Sequence, residues 1–383
     1  MSTQENAPPP PRTLIECFDE MEDPRVDRTR DHKLIDILVI GLCTMVTVGE
    51  NFTDMEDFAR TKYDWLKTFL ELPNGVPSHD TFNRVFSAID PDQFLACFVK
   101  WVKGMCPTLG DDVVSIDGKA LRRASNKGDT IPHIVSAWAS KHGLVLAQVK
   151  VNDKSNEITA IPELLHALQI EGCVVTIDAM GCQKDIAAEI VQAKADYVLA
   201  LKGNHATVHK EFREYFDHTV PAGADARTPL PEGMDFHETV EKGHGRIETR
   251  RYWHTTDIDW FEDKKRWRRL RSVGMVESIR DVDGEISIER RLYLSSLQLD
   301  VKRFSQAVRS HWGVENSLHW TMDVTFGEDQ SRARTQFAAQ NLATLRRIVV
   351  NLLKKDKTPR LSLRRKKIIA GLDDNYLKTL LGF

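Results

Sequence analysis

Two short runs of β-branched residues, Val113-Val114-Ser115-Ile116 and Val174-Val175-Thr176-Ile177, each lead straight into an aspartate, Asp117 and Asp178. Apolar runs of this length without polar alternation read as strands covered on both faces, the habit of parallel sheets flanked by helices. Gly118 follows the first acid and Ala179-Met180-Gly181 the second. Each strand is therefore expected to end by delivering a carboxylate to an open sheet edge. Paired carboxylates on rigid supports suit a hard divalent cation, which takes oxygen ligands.

The order of elements around these runs narrows the fold. Residues 14 to about 106 read as helical, with Ser78 as the N-cap of a helix that turns Phe82, Val85, Phe86 and Ile89 to one side. Thr81, Asn83 and Arg84 on that helix are ordinary outward residues, so DNA binding and dimerisation are equally good expectations for the module. From Val113 the pattern becomes strands: the first run, then a hairpin whose arms, Ile131 to Ser140 and Leu144 to Val151, meet at Lys141-His142-Gly143. Helix, strand, helix, strand and helix follow. That is the order of a ribonuclease-H-like core, a mixed α/β sheet with flanking helices in which the first and fourth strands are neighbours.

A chain of 383 residues is long enough for two or three domains. The expected division is a disordered leader over 1–11, containing Pro8 to Pro11, and a helical domain over 12–108. The ribonuclease-H-like core covers 109–220 and 298–356, split by a β-rich insertion over 221–297, with a basic tail over 357–383. The six cysteines form no C-x-x-C pair, so buried free thiols are expected rather than zinc ribbons or a disulfide framework. The longest apolar run, Ile37 to Val48, is too short for a bilayer, which takes about 20 residues. No signal peptide precedes it, and a cytoplasmic protein is expected.

Charge is informative only by segment, because the net value of -3 averages it away. In the insertion, Lys264, Lys265, Arg266, Arg268, Arg269 and Arg271 cluster near Trp260 and Trp267, a mixture suited equally to nucleic acid and to a solvated strand face. Ala338, Leu342, Leu345, Val349 and Leu352 mark a helix expected to bury one face against the sheet. From Gln330 to Lys367, including Arg332 and Arg334, twelve Lys or Arg stand against one acid, Asp356, which suggests a polyanion partner.

Two-metal phosphoryl chemistry needs a third carboxylate. Glu315 is the preferred candidate, on a helix between Arg309, His311 and Asn316, with Asp323, Glu328 and Asp329 as rivals. His311 and His319 lack zinc-type spacing, and Trp312 and Trp320 are expected in the core.

Several long phrases carry a resemblance: GVPSHDTFNRVF from Gly75, SIDGKAL from Ser115, TIDAMGCQ from Thr176, ALKGN from Ala200, GHGRIETR from Gly243, and SHWGVENSLHW with DVTFGED between Arg309 and Arg334. From about residue 12 onward the chain resembles the H-repeat-associated insertion-sequence transposases of the DDE class. That resemblance implies a triad of Asp117, Asp178 and Glu315 holding two Mg²⁺ ions, for which Mn²⁺ could substitute. It implies cleavage at the ends of an insertion sequence, then strand transfer of the freed 3′ hydroxyl into target DNA. The partners implied are double-stranded DNA, as terminal inverted repeats and target, and a second copy of the chain in the DNA complex, at the bacterial nucleoid and with no membrane. The Tyr, Arg and Lys that related transposases carry around the glutamate fall here on Val308, His311 and Met322. Phosphate contacts are therefore expected from Lys119, Arg309 and His311, with further DNA contacts from Lys202, Arg246, Arg268, Arg269, Arg332 and Arg334. The alternatives are a metal nuclease without strand transfer and a non-catalytic DNA-binding descendant.

Overall fold

In the computed structural model, residues 13–125, 130–151, 157–243, 245–357 and 361–382 are described. The amino-terminal helices start where the sequence supplies caps. Thr13 and Glu16 form a capping box at α1 (Leu14–Asp19), and Asn51 and Asp54 form another at α3 (Phe52–Thr61). Between them lies α2 (Leu34–Val46), buried on nearly every side, which accounts for its unbroken apolar sequence. After the short α4 (Tyr63–Leu66), Ser78 Oγ accepts the Thr81 amide at 3.3 Å to cap α5 (His79–Ala88). Asp90 with Pro91 opens α6 (Pro91–Met105).

The sheet grows outward from β1 (Val113–Ala120). On one side β1 pairs antiparallel with β2 (His133–Ala139), which turns at Gly143 into β3 (Leu144–Val151). On the other it pairs in parallel with β4 (Val174–Ile177), and β4 with β5 (Asp196–Leu201). The crossovers carry α7 (Glu157–Ala167) and α8 (Lys184–Gln192), and α9 (Ala206–Thr219) follows β5. The order β3-β2-β1-β4-β5 is that of the ribonuclease-H-like core.

Strands β6 (Met234–Gly243), β7 (Arg246–Thr255), β8 (Ser272–Val282) and β9 (Glu285–Ser295) fall within 221–297, the stretch expected as an insertion. They do not fold apart from the core. β9 pairs antiparallel with β5, Val198 opposite Ser295, so a single sheet of nine strands runs β3-β2-β1-β4-β5-β9-β8-β7-β6.

Beyond the sheet come α10 (Val301–Val314), a short α11 (Trp320–Val324), α12 (Ala338–Lys355), α13 (Leu363–Leu372) and α14 (Asp374–Leu381). Helix α12 overturns the expectation of one buried face and one basic face, because it is buried almost all round between β3 and helices α2, α5 and α6. Asn351 exchanges two hydrogen bonds with the backbone of Val145 on β3, and Asn341 donates to the carbonyls of Phe86 and Ile89 behind α5. The helix thus ties the amino-terminal module to the sheet.

The basic carboxyl-terminal stretch is partly internal, while Arg332, Arg334, Arg364 and Arg365 stay exposed. Arg346 and Arg347 are fully buried, and Arg347 forms a bidentate pair with Glu328. Lys366 donates to the carbonyls of Leu353 and Asp356. Lys367 lies 4.1 Å above the Phe326 ring, and burial pushes its pKa down to about 8. A sequence does not reveal which of its arginines and lysines have internal partners. Five cysteines are buried and Cys106 is half-buried, all of them free thiols. No described helix is long and apolar enough to cross a membrane.

Candidate active site

Register, more than strand length, brings the two aspartates together. Ile116 on β1 lies opposite Ile177 on the parallel β4, so Asp117 and Asp178 are the next residues along. Strand β1 does not stop at its acid, as the following glycine suggested. Asp117 stays paired opposite Ser136 of β2, and the opening arises because β4 ends at Ile177. The main chain then holds Asp178, whose Oδ1 accepts from the amides of Met180 at 3.1 Å and Gly181 at 3.4 Å.

Glu315 arrives from a helix. Asp300 caps α10 by accepting the Arg303 amide at 2.9 Å, and the helix lies across β1 and β4. At Glu315 the helix widens into a single π turn, Glu315–His319, in which the Trp320 amide donates to the Glu315 carbonyl. Such an extra residue re-aims the side chains of a helix and recurs at functional sites. Glu315 lines a cavity of about 370 Å³ with Asp117 and Asp178.

This cavity is electrostatically strained. Burial, followed by the charges of Asp178 and Glu315, pushes the Asp117 carboxyl up to about 7. His319 Nδ1 lies 3.6 Å from Asp117 Oδ2, and His311 Nδ1 lies 3.2 Å from Thr176 Oγ1. Burial holds both imidazoles at about 4, so they are neutral at pH 7. A fourth carboxylate, Glu157, presses against Gly118, where a Cβ would stand 2.2 Å from its Oε1. Glu157 also faces His133 at 3.2 Å.

The rivals of Glu315 are engaged elsewhere. Lys119 Nζ lies 2.7 Å from Asp323, 2.8 Å from Asp329 and 3.6 Å from Glu328, and the Glu328 carboxylate also meets Arg347. The same network removes Lys119 from the phosphate contacts expected of it, since its ammonium is buried among three carboxylates. Arg309 also departs from expectation: it pairs with Glu241 of β6 at 2.8 Å and does not line the cavity. His311 does line it, as a neutral group, and so does the exposed Lys202.

The remaining expected DNA contacts lie apart from the carboxylates. Arg246 pairs with Glu248 at 2.8 Å, Arg269 approaches Asp196 at 3.7 Å, and Arg268 is exposed. Arg332 and Arg334 are exposed on a larger cleft of about 580 Å³, between the loop 327–335 and helices α3 and α5. Of the two tryptophans expected in the core, Trp320 is 58% exposed and Trp312 is half-buried. A residue that sequence reasoning passed over, Arg291 on β9, lines the carboxylate cavity with its guanidinium 4.7 Å from the Trp312 ring centroid. Only strand alternation, Glu289, Arg291, Tyr293, could have flagged it.

The family model for the transposase DDE domain matches residues 108–352, and the DDE_Tnp_1-associated model matches residues 15–102. This chain belongs to the DDE transposase family. The transposase-domain match spans both aspartates, Glu315 and the four inserted strands. Among the relatives is the Escherichia coli K12 protein named "H repeat-associated putative transposase YhhI", 38% identical over 381 residues, covering 97% of this chain and 98% of that one. A Xanthobacter autotrophicus protein, named only by its place in the dhlA 3′ region, is 43% identical over 289 residues, covering 74% of this chain and 94% of its own length. Among solved structures, a piggyBac transposase synaptic complex with hairpin DNA aligns over 96% of this transposase and 80% of that chain, with a TM-score of 0.47 and 11% identity.

Proposed function

We propose that Asp117, Asp178 and Glu315 are the catalytic carboxylates of an insertion-sequence transposase that cleaves DNA at the element's ends and transfers the freed 3′ hydroxyl to target DNA. The supporting observation is the meeting, in one cavity, of two sheet-borne acids and one helix-borne acid, with the rival acids held in ion pairs. The donor set fits hard divalent cations, Mg²⁺ with Mn²⁺ as a substitute: all three are oxygen donors, and burial together with the neighbouring negative charges keeps Asp117 hard to ionise until a cation compensates it. Among the described residues no cluster of three ligating side chains is already drawn together around one point. Bound cations would activate the attacking oxygen and offset charge on the leaving one.

The protein's own part in this reaction is orientation. The paired strands fix Asp117, backbone amides fix Asp178, and the π turn aims Glu315. His311 and His319 are neutral walls, unable to displace a cation by their own charge. In the first step a water oxygen attacks the end phosphodiester and the DNA 3′ oxygen leaves with a proton. In the second, that 3′ hydroxyl gives up its proton as its oxygen attacks a target phosphodiester, and the target's own 3′ oxygen leaves with a proton. No side chain forms a bond to DNA, so no nucleophilic residue is needed. The amino-terminal module and the exposed arginines of the 332–334 cleft would hold duplex DNA, and two copies would pair two ends at the nucleoid.

Strand transfer by purified protein of a pre-cleaved element end into a plasmid tests the reading. Wild-type protein should give joined product with Mg²⁺, whereas Asp117→Asn, Asp178→Asn and Glu315→Gln should each give none while still binding the end. Cleavage without joining would leave a nuclease, and joining by Glu315→Gln would remove it from the triad.

A further inference from the structure

The carboxylate cavity has an acidic wall, and a DNA strand entering it must bring phosphates past those acids. The groups expected to neutralise the phosphates are absent from the cavity or carry no charge there. Lys119 is enclosed by Asp323, Asp329 and Glu328, Arg309 is turned to Glu241, and His311 is occupied by Thr176. Among the described residues lining the cavity the cations are Lys202 and Arg291.

These two cations differ in how they are held. Lys202 is exposed, at the start of the turn between β5 and α9. Arg291 is built in: its guanidinium lies over the face of Trp312, and its Nε and Nη2 donate to the two oxygens of Glu289 at 2.8 and 2.9 Å. Stacking on one face and a fork of two bonds to Glu289 along one edge fix the orientation of the plane, with the Tyr293 hydroxyl a further hydrogen-bond neighbour, and Nη1 has no bond to the Glu289 carboxylate. Trp312 lies on α10, three residues before Glu315, so the ring that positions the arginine moves with the helix that positions the third acid.

We propose that Arg291, stacked on Trp312, is the phosphate-binding seat of this cavity and grips a backbone phosphate of the DNA strand whose neighbouring linkage faces the carboxylates. The inference deepens the transposase reading and rests on it. It assigns a contact to the inserted strands: β9 brings to the site a cation that α10 does not supply. Arg291 differs from an ordinary surface ion-pair partner in having its ring support and its place in the cavity wall together.

The test uses the full-length protein and a short duplex cut from the DNA flanking the coding region, with binding measured over a salt series and cleavage measured in single turnover. Arg291→Ala should lower the slope of log affinity against log salt by about one phosphate's share. It should also slow cleavage roughly tenfold to a hundredfold, the range for losing a hydrogen bond to a charged group. Arg291→Lys guards against misfolding: keeping the charge and losing the planar fork, it should preserve the salt slope while slowing cleavage severalfold. Wild-type slope in Arg291→Ala, or wild-type cleavage in both variants, overturns the seat. A wild-type protein that binds with an Arg291-dependent slope yet cleaves nothing overturns the proposed reaction and leaves the seat standing.

Discussion

Lys119 Nζ stands 2.7 Å from Asp323, and this contact joins the strand that carries Asp117 to the helix that follows Glu315. The ammonium is largely buried and also meets Asp329 and Glu328, so three carboxylates share its single charge. Lys119→Met should therefore destabilise the protein by about 3–5 kcal/mol, the cost of leaving buried charge uncompensated. Urea unfolding followed by circular dichroism measures this, and a Lys119→Met midpoint equal to wild type would show that the network is not needed.

Asp117 should be a stability liability when no cation is present. Its folded-state value of about 7 lies above the ordinary 3.8, because burial and the Asp178 charge oppose ionisation. The stability that this group contributes is fully present below the unfolded value and is lost as pH rises through 7. At pH 8 in chelator, Asp117→Asn should then be more stable than wild type by on the order of 3 kcal/mol, with the gap closing near pH 4. Adding Mg²⁺ should raise the wild-type melting temperature and leave that of the variant nearly still. A variant that melts below wild type at pH 8 would contradict the strained-acid account.

The opposite sign applies to Glu328. Burial alone would raise its carboxyl, but the charges of Arg347 and Arg346 prevail and hold it at about 2, below the ordinary 4.5. Its contribution is present above pH 4.5 and is lost as pH falls from 4.5 toward 2, a window worth on the order of 3 kcal/mol. Glu328→Gln should lower stability at pH 7, because it leaves two buried arginines short of an acid, and should flatten the acid limb of the stability profile. An acid limb as steep as in wild type would assign acid unfolding to other carboxylates.

The strands were legible in the sequence because a parallel strand buried on both faces has a composition of its own, as Val113 to Ile116 and Val174 to Ile177 show. The adjacency of Asp117 and Asp178 followed from topology, and so did the order of the first five strands. The partners of charged residues were not legible. Arg346, Arg347 and Lys119 look in sequence like solvent or DNA contacts, yet each is buried against acids distant in the chain. Arg291 was missed for a related reason: a cation inside an alternating strand gives no local sign that a helix will later bring Trp312 beneath it. The extra turn at Glu315 was equally hidden, since a π turn depends on what the helix packs against and not on the residues ENSLH alone.

The inserted strands should also govern how Glu315 is held, and the test lies at Gly274. This glycine sits on β8 opposite Tyr293 of β9, and a Cβ there would stand 2.2 Å from the Phe304 ring of α10. Phe304 is fully buried, stacked on His254 of β7 at 4.9 Å and edge-on to Tyr293 at 5.7 Å, so the ring has little room to retreat. Gly274→Ala must then lift α10 off the inserted strands or distort β8, at a cost of about 1–3 kcal/mol for overpacking. Glu315 lies eleven residues along the chain from Phe304, on the π turn that continues α10, and should move with it. Gly274→Ala is expected to unfold at lower urea and to lose strand-transfer activity beyond its loss of folded protein, while retaining duplex binding. The double variant Gly274→Ala with Phe304→Leu, which returns space to the contact, should recover part of both losses. Activity that only tracks the folded fraction would mean that the insertion stabilises the sheet without aiming the third acid.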